Sequence, residues 1–563
     1  MVAVLDRPWL VAYPPDVPAD VEVPDEPLFA ELERAGRDHP HRPAIDFLGR
    51  VLDWAELVEL VHRTAAGLRR LGMGEGARVV LLFPNSPYAV IFYHAVLEAG
   101  GVVVHASPLY SIAELERLVR DADAHLLATV DLALTLPKAG ELLARGWLER
   151  VIVCPLADAM PRTTGLLFRL FARRERARLD DARLLSFRDL LAGREPFRPA
   201  IPAPGDPAVL QYTGGTTGVP KGAMLTHRNL VANRAQVLAL DPELVVGEER
   251  ILGVLPLFHV FAMTAVMNVA VGMRACMILL PRFVPEQTLR VLHRRRPTLF
   301  PVVPALLQAL LRSPALHRYR LDSLRFCISG GAPLPREVQE RFEQLTGCRV
   351  VEGYGLTEAS PVVTCNPPTG RVVPGSIGIP LPSTWVEIRA LDDPRRRLPP
   401  GEKGELVVRG PQVMRGYWKR PAETREVFVD GWLRTGDVGW MDGDGYVHLV
   451  DRIKDLILVR GYNVYPRLVE EALYAHEAVA EAVVIGVPDP ERGEVPKAFV
   501  VRREGFEVDA ETLRAFLRER LAPYEVPREI EFRAELPRTP IGKPSRRDLV
   551  EEERRRRGEG GER

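Results

Sequence analysis

Residues 211 to 227 read QYTGGTTGVPKGAMLTH, which sets four glycines, a proline and one lysine between a strand-like run and a helix-like one. Glycines at Gly214, Gly215 and Gly218 let backbone N–H groups come close to a polyphosphate. Thr213, Thr216 and Thr217 add hydroxyl donors, and Lys221 supplies a mobile point charge. The pattern departs from the common phosphate loop, G-x-x-x-x-G-K-[ST]. Lys221 precedes Gly222, and Val219-Pro220 stands where that motif keeps glycine. The stretch predicts a loop that grips phosphate by a different geometry.

Lysine usage marks further positions. The chain carries lysine only at 138, 221, 403, 419, 454, 497 and 543, and arginine supplies its other cationic side chains. Where lysine persists, in GVPKG, DRIKD, GEVPKAF and IGKPS, the position asks for a compact ammonium rather than a planar fork.

The elements that must hold these residues are legible as periodicity. Short β-rich runs at 77–83, 150–156, 323–329 and 348–354 alternate with helical patterns such as AELVELVHRTAAGLRRLG. That order predicts α/β layering with largely parallel sheet. After about residue 375 the texture changes to short strands with glycine turns, which suggests an antiparallel or barrel-like subdomain. The region after 452 restarts as a compact α+β unit. The expected organisation is a large N-terminal domain over 1–452, a small mobile C-terminal domain over 453–550, and a disordered tail over 551–563. At 563 residues more than one domain is expected.

Composition excludes several classes. Lys+Arg and Asp+Glu balance at 75 each, which argues against a nucleic-acid partner. Five scattered cysteines without C-x-x-C suit a reducing, cytoplasmic setting and no structural metal. The first twenty residues do not read as a signal peptide. The uncharged stretch 251–273 is long enough to span a membrane, but Pro256, His259 and Asn268 favour a buried strand followed by a buried helix. A soluble chain is expected.

YTGGTTGVPKG, GYGLTE (353–358), GWLRTGD (431–437), DRIKDLI (451–457) and PRTPIGK (537–543), in that order, resemble the adenylate-forming superfamily, which includes acyl-CoA synthetases, beetle luciferases and peptide-synthetase adenylation domains. The run from DGWLRTGD to RGYNVYP looks most like the fatty-acyl-CoA synthetase branch. The resemblance implies ATP, Mg²⁺ and coenzyme A, and two steps on one site: a carboxylate and MgATP give acyl-AMP and pyrophosphate, then the CoA thiol displaces AMP. It implies Thr213 and Glu358 as magnesium ligands, and Tyr354 stacked on adenine beside the SGGAP backbone at Gly330, Gly331 and Ala332. Glu352, Gly353, Gly355 and Thr357 complete the nucleotide pocket. Asp437 would accept from the ribose hydroxyls with Arg452 nearby. Lys543 would bridge the carboxylate and the α-phosphate. Lys454 would be the hinge, and Gly461 would line the pantetheine tunnel. Ile541 and Leu468 depart from the pattern, standing where relatives often carry Ser or Thr and Glu respectively; Glu470 matches.

For the acid, LPLFHVFAMTAVM offers His259 and apolar residues but no carboxylate for an amino-acid ammonium, which would be costly unpaired. His259 reads as a pocket-wall residue or a structural histidine. Acetate-specific relatives close the acyl pocket with tryptophan at the position of Gly355, so glycine there, with Met263, Val266 and Met267, implies a medium- or long-chain fatty acid. Aromatic acids as in coumarate-type ligases, and acyl loading of a carrier protein, are the alternatives; a nucleotide-binding protein without catalysis is disfavoured by Lys543, Glu358 and Asp437. Residues 164–179 predict a basic amphipathic helix, with Leu166, Leu167, Leu170 and Phe171 on one stripe and Arg169, Arg173 and Arg176 on another. Such a helix could rest on the inner membrane face. A homodimer is left open.

Overall fold

The computed structural model describes residues 7–172, 174–193, 197–213, 220–460, 462–538 and 544–557. Contacts divide the chain into two compact units. The first comprises Met1–Val386, Val408–Leu433 and Asp444–Tyr446; the second comprises Glu387–Val407, Arg434–Gly443 and Val447–Arg563. The division therefore passes through the strands Trp385–Arg389, Gly404–Arg409 and Trp432–Met441 rather than making a single cut at 452.

Two large sheets build the first unit. Among the described residues, one has eight strands, running from Gly416–Tyr417 through Lys221–Thr226, Pro207–Thr213, Val102–His105 and Arg78–Leu82 to Leu126–Val130, Arg150–Cys154 and Leu184–Ser186. Its central pairs are parallel, as in Val79↔Val103 and Val79↔Leu126. Strands such as RVVLL and RVIVC are buried on both faces, which is why they read as unbroken apolar runs. The other sheet has nine strands, with Arg349–Gly355, Phe326–Ser329, Leu299–Val302, Arg250–Gly253 and Cys276–Leu279 at its centre. The helix Pro87–Glu98 is buried along its whole length, as a helix apolar on every side must be.

The stretch 251–273 forms the expected buried strand and helix, with one difference. After Arg250–Gly253 the chain turns into a short helix Val260–Ala262, a π-helix Met263–Asn268 and an α-helix Val269–Met273. Among the described residues no helix is long and apolar enough to cross a membrane.

The second unit holds the C-terminal sheet Tyr462–Val464, Ile457–Val459, Gly493–Arg502 and Val479–Asp489, with Glu529–Arg533 parallel to Gly493–Arg502. Helices Pro466–Tyr474 and Ala510–Arg518 pack Val469, Leu473, Leu513 and Leu517 into its core.

Two expectations need correction. The helix expected over 164–179 spans only Arg162–Phe171; Arg176 lies beyond it and pairs with Asp131 at 3.1 Å, and Arg173 lies outside the described residues. The tail expected to be disordered from 551 is helical through Arg546–Arg556. Its Glu553 is buried against Lys497, whose ammonium donates to it at 2.9 Å. Low apolar content did not forbid folding because a buried ion pair anchors that helix. Residues 558–563 lie outside the described residues.

Candidate active site

The phosphate-loop strands form an antiparallel pair in which Thr213 stands opposite Lys221. Gly214, Gly215, Thr216, Thr217 and Gly218, between them, lie outside the described residues. Helix His227–Ala239 begins where it does because Thr226 and Asn229 make a reciprocal capping box. Gly222 packs closely: a Cβ there would stand 3.1 Å from the Tyr212 ring.

Gly416–Tyr417 adds to this pair antiparallel, with Tyr417 opposite Ala223. Tyr417 thereby meets both charged residues expected in the site. The Lys221 ammonium lies 5.5 Å from the centre of the Tyr417 ring, a cation–π distance. The Tyr417 hydroxyl donates to Glu358 Oε1 at 2.7 Å. Burial and the Glu358 charge together push the phenol pKa up, so Tyr417 stays a donor at neutral pH. Glu358 sits in a 3₁₀ turn Thr357–Ala359, and its own carbonyl accepts from Met414 N–H at 2.7 Å. The Glu358 carboxylate, one oxygen of it held by Tyr417, and the Thr213 hydroxyl are each hard oxygen donors of the kind Mg²⁺ takes.

The segments expected to line the base pocket sit on neighbouring strand ends. Phe326–Ser329 pairs in parallel with Arg349–Gly355, matching Ser329 to Glu352. Glu352 is buried, and its Oε1 accepts from Leu334 N–H at 3.2 Å, tying the loop through Gly330, Gly331 and Ala332 to the strand. Gly331 has φ +73°, a conformation that favours glycine. A Cβ on Gly330 would lie 3.2 Å from the Phe261 ring and 3.3 Å from the Gly353 carbonyl oxygen, so the backbone is wedged between the two. Tyr354 pairs with Thr364 in the adjoining antiparallel strand.

Gly355 does not face open space. The pairing of Arg349–Gly355 with Val362–Cys365 is irregular between Tyr354 and Gly355, and a Cβ on Gly355 would fall 2.2 Å from the Pro361 carbonyl oxygen. The expectation that this glycine leaves the acyl channel open is therefore corrected: close strand packing requires it. In the π-helix, Met263, Val266 and Met267 are all buried in the hydrophobic core. π-Helical turns occur frequently at functional sites. His259 caps the helix before it, its Nδ1 accepting from Phe261 N–H at 3.3 Å.

Three buried asparagine and glutamine residues of helix His227–Ala239, not foreseen from the sequence, hold these loops. Asn233 pairs with both backbone groups of Val362 at 2.8 and 3.0 Å, and Asn229 donates to Pro411 O and Val413 O, each at 2.8 Å. Gln236 donates to Pro382 O at 2.8 Å. Asn85 donates to Gly253 O and Leu255 O and accepts from Leu257 N–H, fixing the turn before His259.

In the second unit, Asp437 and Arg452 face each other on paired strands, Trp432–Met441 and Val447–Arg452, and the Arg452 Nε lies 3.1 Å from Asp437 Oδ1. Asp437 is buried and its N–H donates to the Thr435 hydroxyl. Lys454 lies in the 3₁₀ turn Ile453–Asp455. Just beyond the expected catalytic lysine, Arg546 pairs with Asp455 at 3.1 Å and with Glu470 at 2.5 Å. Glu470 thus has a structural role that sequence reasoning did not assign. Lys543, Ile541 and Gly461 lie outside the described residues.

Residues 32–418 match the AMP-binding enzyme family and residues 468–543 the AMP-binding enzyme C-terminal domain. The chain is 44% identical over 553 residues to a long-chain-fatty-acid–CoA ligase of Bacillus subtilis, covering 97% of this chain and 98% of the relative. A feruloyl-CoA synthase of an Amycolatopsis species is 38% identical over 512 residues, 91% and 96% of the two chains. The ATP-bound crystal structure of MatB from Rhodopseudomonas palustris superposes with a TM-score of 0.83 at 31% identity, covering 94% of this chain and 99% of that one. The chain belongs to the AMP-binding enzyme family.

Proposed function

We propose that this enzyme activates a medium- or long-chain fatty acid with ATP and transfers the acyl group to coenzyme A. A carboxylate oxygen attacks the α-phosphorus, the bond to the β-phosphate oxygen breaks, and pyrophosphate leaves. The CoA thiolate then attacks the acyl carbon and AMP departs.

The observation that carries this reading is the Lys221–Tyr417–Glu358 chain at the mouth of the phosphate-loop hairpin, in a chain with a curated fatty-acid ligase relative at 44% identity. When bound, Mg²⁺ neutralises phosphate charge, and Thr213 and Glu358 are the residues that would hold it. Tyr417 orients the Glu358 carboxylate. Lys221 supplies positive charge toward the leaving pyrophosphate. Asp437 is buried with Arg452 beside it, which supports its reading as acceptor for a vicinal diol. Lys543 is assigned to the approach of carboxylate and α-phosphate, where a preorganised ammonium offsets their repulsion.

Buried Met263, Val266 and Met267 support an alkyl substrate. The feruloyl-CoA synthase relative supports an aromatic acid as the second reading. Leu166, Leu167, Leu170 and Phe171 are half or more exposed on helix Arg162–Phe171, which supports contact with a membrane surface where fatty acids partition. The test is product analysis with palmitate, ATP, Mg²⁺ and CoA. Palmitoyl-CoA and AMP should appear in equal amounts without any carrier protein. Palmitoyl-AMP accumulating with no thioester would overturn the CoA assignment.

A further inference from the structure

Glu33 on helix Ala30–Asp38, His62 on helix Trp54–Arg70 and Glu98 at the end of helix Pro87–Glu98 converge away from every residue assigned above. Among the described residues this is the one group in which three His, Cys, Asp or Glu donor atoms lie within 4.8 Å of one another. His62 Nε2 stands 2.5 Å from Glu33 Oε1 and 3.8 Å from Glu98 Oε2. One ring nitrogen therefore faces two carboxylates, although a single N–H can serve only one of them well.

Glu98 is the independent observation. Its side chain is fully buried, and neither carboxylate oxygen accepts a hydrogen bond from a nitrogen or hydroxyl donor; the group beside it is the Glu33 carboxylate. Buried carboxylates are normally paired, hydrogen-bonded or bound to metal. Glu98 ends a buried helix whose other residues are apolar or aromatic apart from His94, so a leucine or alanine would satisfy the packing at no such cost. The segment that covers it is anchored by Ala200 N–H donating to the Glu98 carbonyl at 2.8 Å, and the Phe197 ring lies 6.5 Å from the His62 ring. Among the described residues, the Arg37 charge also acts on Glu33.

We propose that Glu33, His62 and Glu98 bind a divalent first-row transition cation of the zinc class, distinct from the magnesium that accompanies ATP. The donor set is one imidazole and two carboxylates. Imidazole favours zinc, cobalt, nickel and copper over magnesium and calcium. In a tetrahedral zinc site with bonds of about 2.0–2.2 Å, donors stand roughly 3.3–3.5 Å apart. The separations of 2.5 and 3.8 Å bracket that value, so small side-chain adjustments suffice. Glu33 and His62 are each about one-third exposed, at 35% and 33%, which opens a path for the ion and a position for water as fourth ligand. Bound there, the ion would join three helices of the N-terminal region and raise the stability of the folded state.

The test uses the full-length chain without a histidine tag, stripped with chelator, then titrated with Zn²⁺ by calorimetry and with Co²⁺ by visible absorption. The wild type is expected to bind one Zn²⁺ per chain, to give a tetrahedral Co²⁺ spectrum and to melt at higher temperature with Zn²⁺. Glu98→Gln, which keeps the neutral shape of the protonated acid, should weaken Zn²⁺ binding at least tenfold and abolish the Co²⁺ band. His62→Ala should do the same, and acyl-CoA formation by both variants reports that they fold. Equal Zn²⁺ binding by wild type and Glu98→Gln, or no binding by the wild type, would overturn the site in favour of a protonated Glu98 buried beside Glu33.

Discussion

Tyr417 does two things with one ring: its face meets the Lys221 ammonium and its hydroxyl holds Glu358. These can be separated. Tyr417→Phe keeps the ring and removes a hydrogen bond to a charged group, a contact worth about 1.5–3 kcal/mol. Adenylation should fall by roughly ten- to a hundredfold with the KM for MgATP raised, while Tyr417→Leu should lose more. ATP–pyrophosphate exchange at varied Mg²⁺ checks this, and an unchanged MgATP dependence in Tyr417→Phe would remove Glu358 from the metal assignment. Lys543 is the second residue to test. Lys543→Ala should cut adenylation by about a hundred- to a thousandfold, the range for one transition-state electrostatic contact. Thioester formation from supplied acyl-AMP should survive, and equal loss in both half-reactions would contradict the division of labour between them.

At the scale of elements, Gly355 shows how strand packing overrides a reading made from one position. Its absent side chain accommodates the Pro361 carbonyl, so Gly355→Trp must displace the strand Val362–Cys365 that carries Tyr354's partner Thr364. The expected outcome is lower kcat/KM for acids of every length from two to sixteen carbons, with a lower melting temperature. A clean switch to acetate at unchanged stability would restore the channel reading. The parallel strands and flanking helices were legible because a two-sided buried strand and an amphipathic helix leave unmistakable periods. Tyr417 was not, being 59 residues from Glu358, and Asn233 was not, being 129 residues from Val362. Contacts of that span are made by tertiary packing, and no local pattern announces them. The π-helix likewise carries no period distinct from the α-helix it interrupts.

For the whole molecule, the reaction asks one chain to serve two half-reactions, and Lys454 is the proposed pivot. Proline at 454 fixes φ near −65° and removes the freedom to swing. Lys454→Pro should adenylate near the wild-type rate and fail in thioester formation, with Lys454→Ala as the control for loss of the ammonium. Full turnover with CoA in the proline variant would show that rotation there is unnecessary. The tail gave a lesson at this scale too. EEERRRR looks unfoldable by composition, yet Glu553 is buried beneath Lys497, the lysine whose retention in an arginine-rich chain had marked it as special. Its compact ammonium fits among Glu529, Glu531 and Glu553 at 2.9 to 3.4 Å.

Carboxylate-dependent ATP–pyrophosphate exchange tests activation of a fatty acid through its adenylate most directly. The acids should run from acetate to palmitate, with cinnamate and amino acids alongside, in the absence of CoA. Exchange should be strongest between about ten and sixteen carbons, since each methylene buried on binding contributes roughly 0.8 kcal/mol before the cost of immobilising the chain. Exchange confined to cinnamate or amino acids, or absent with every acid, would contradict the central claim.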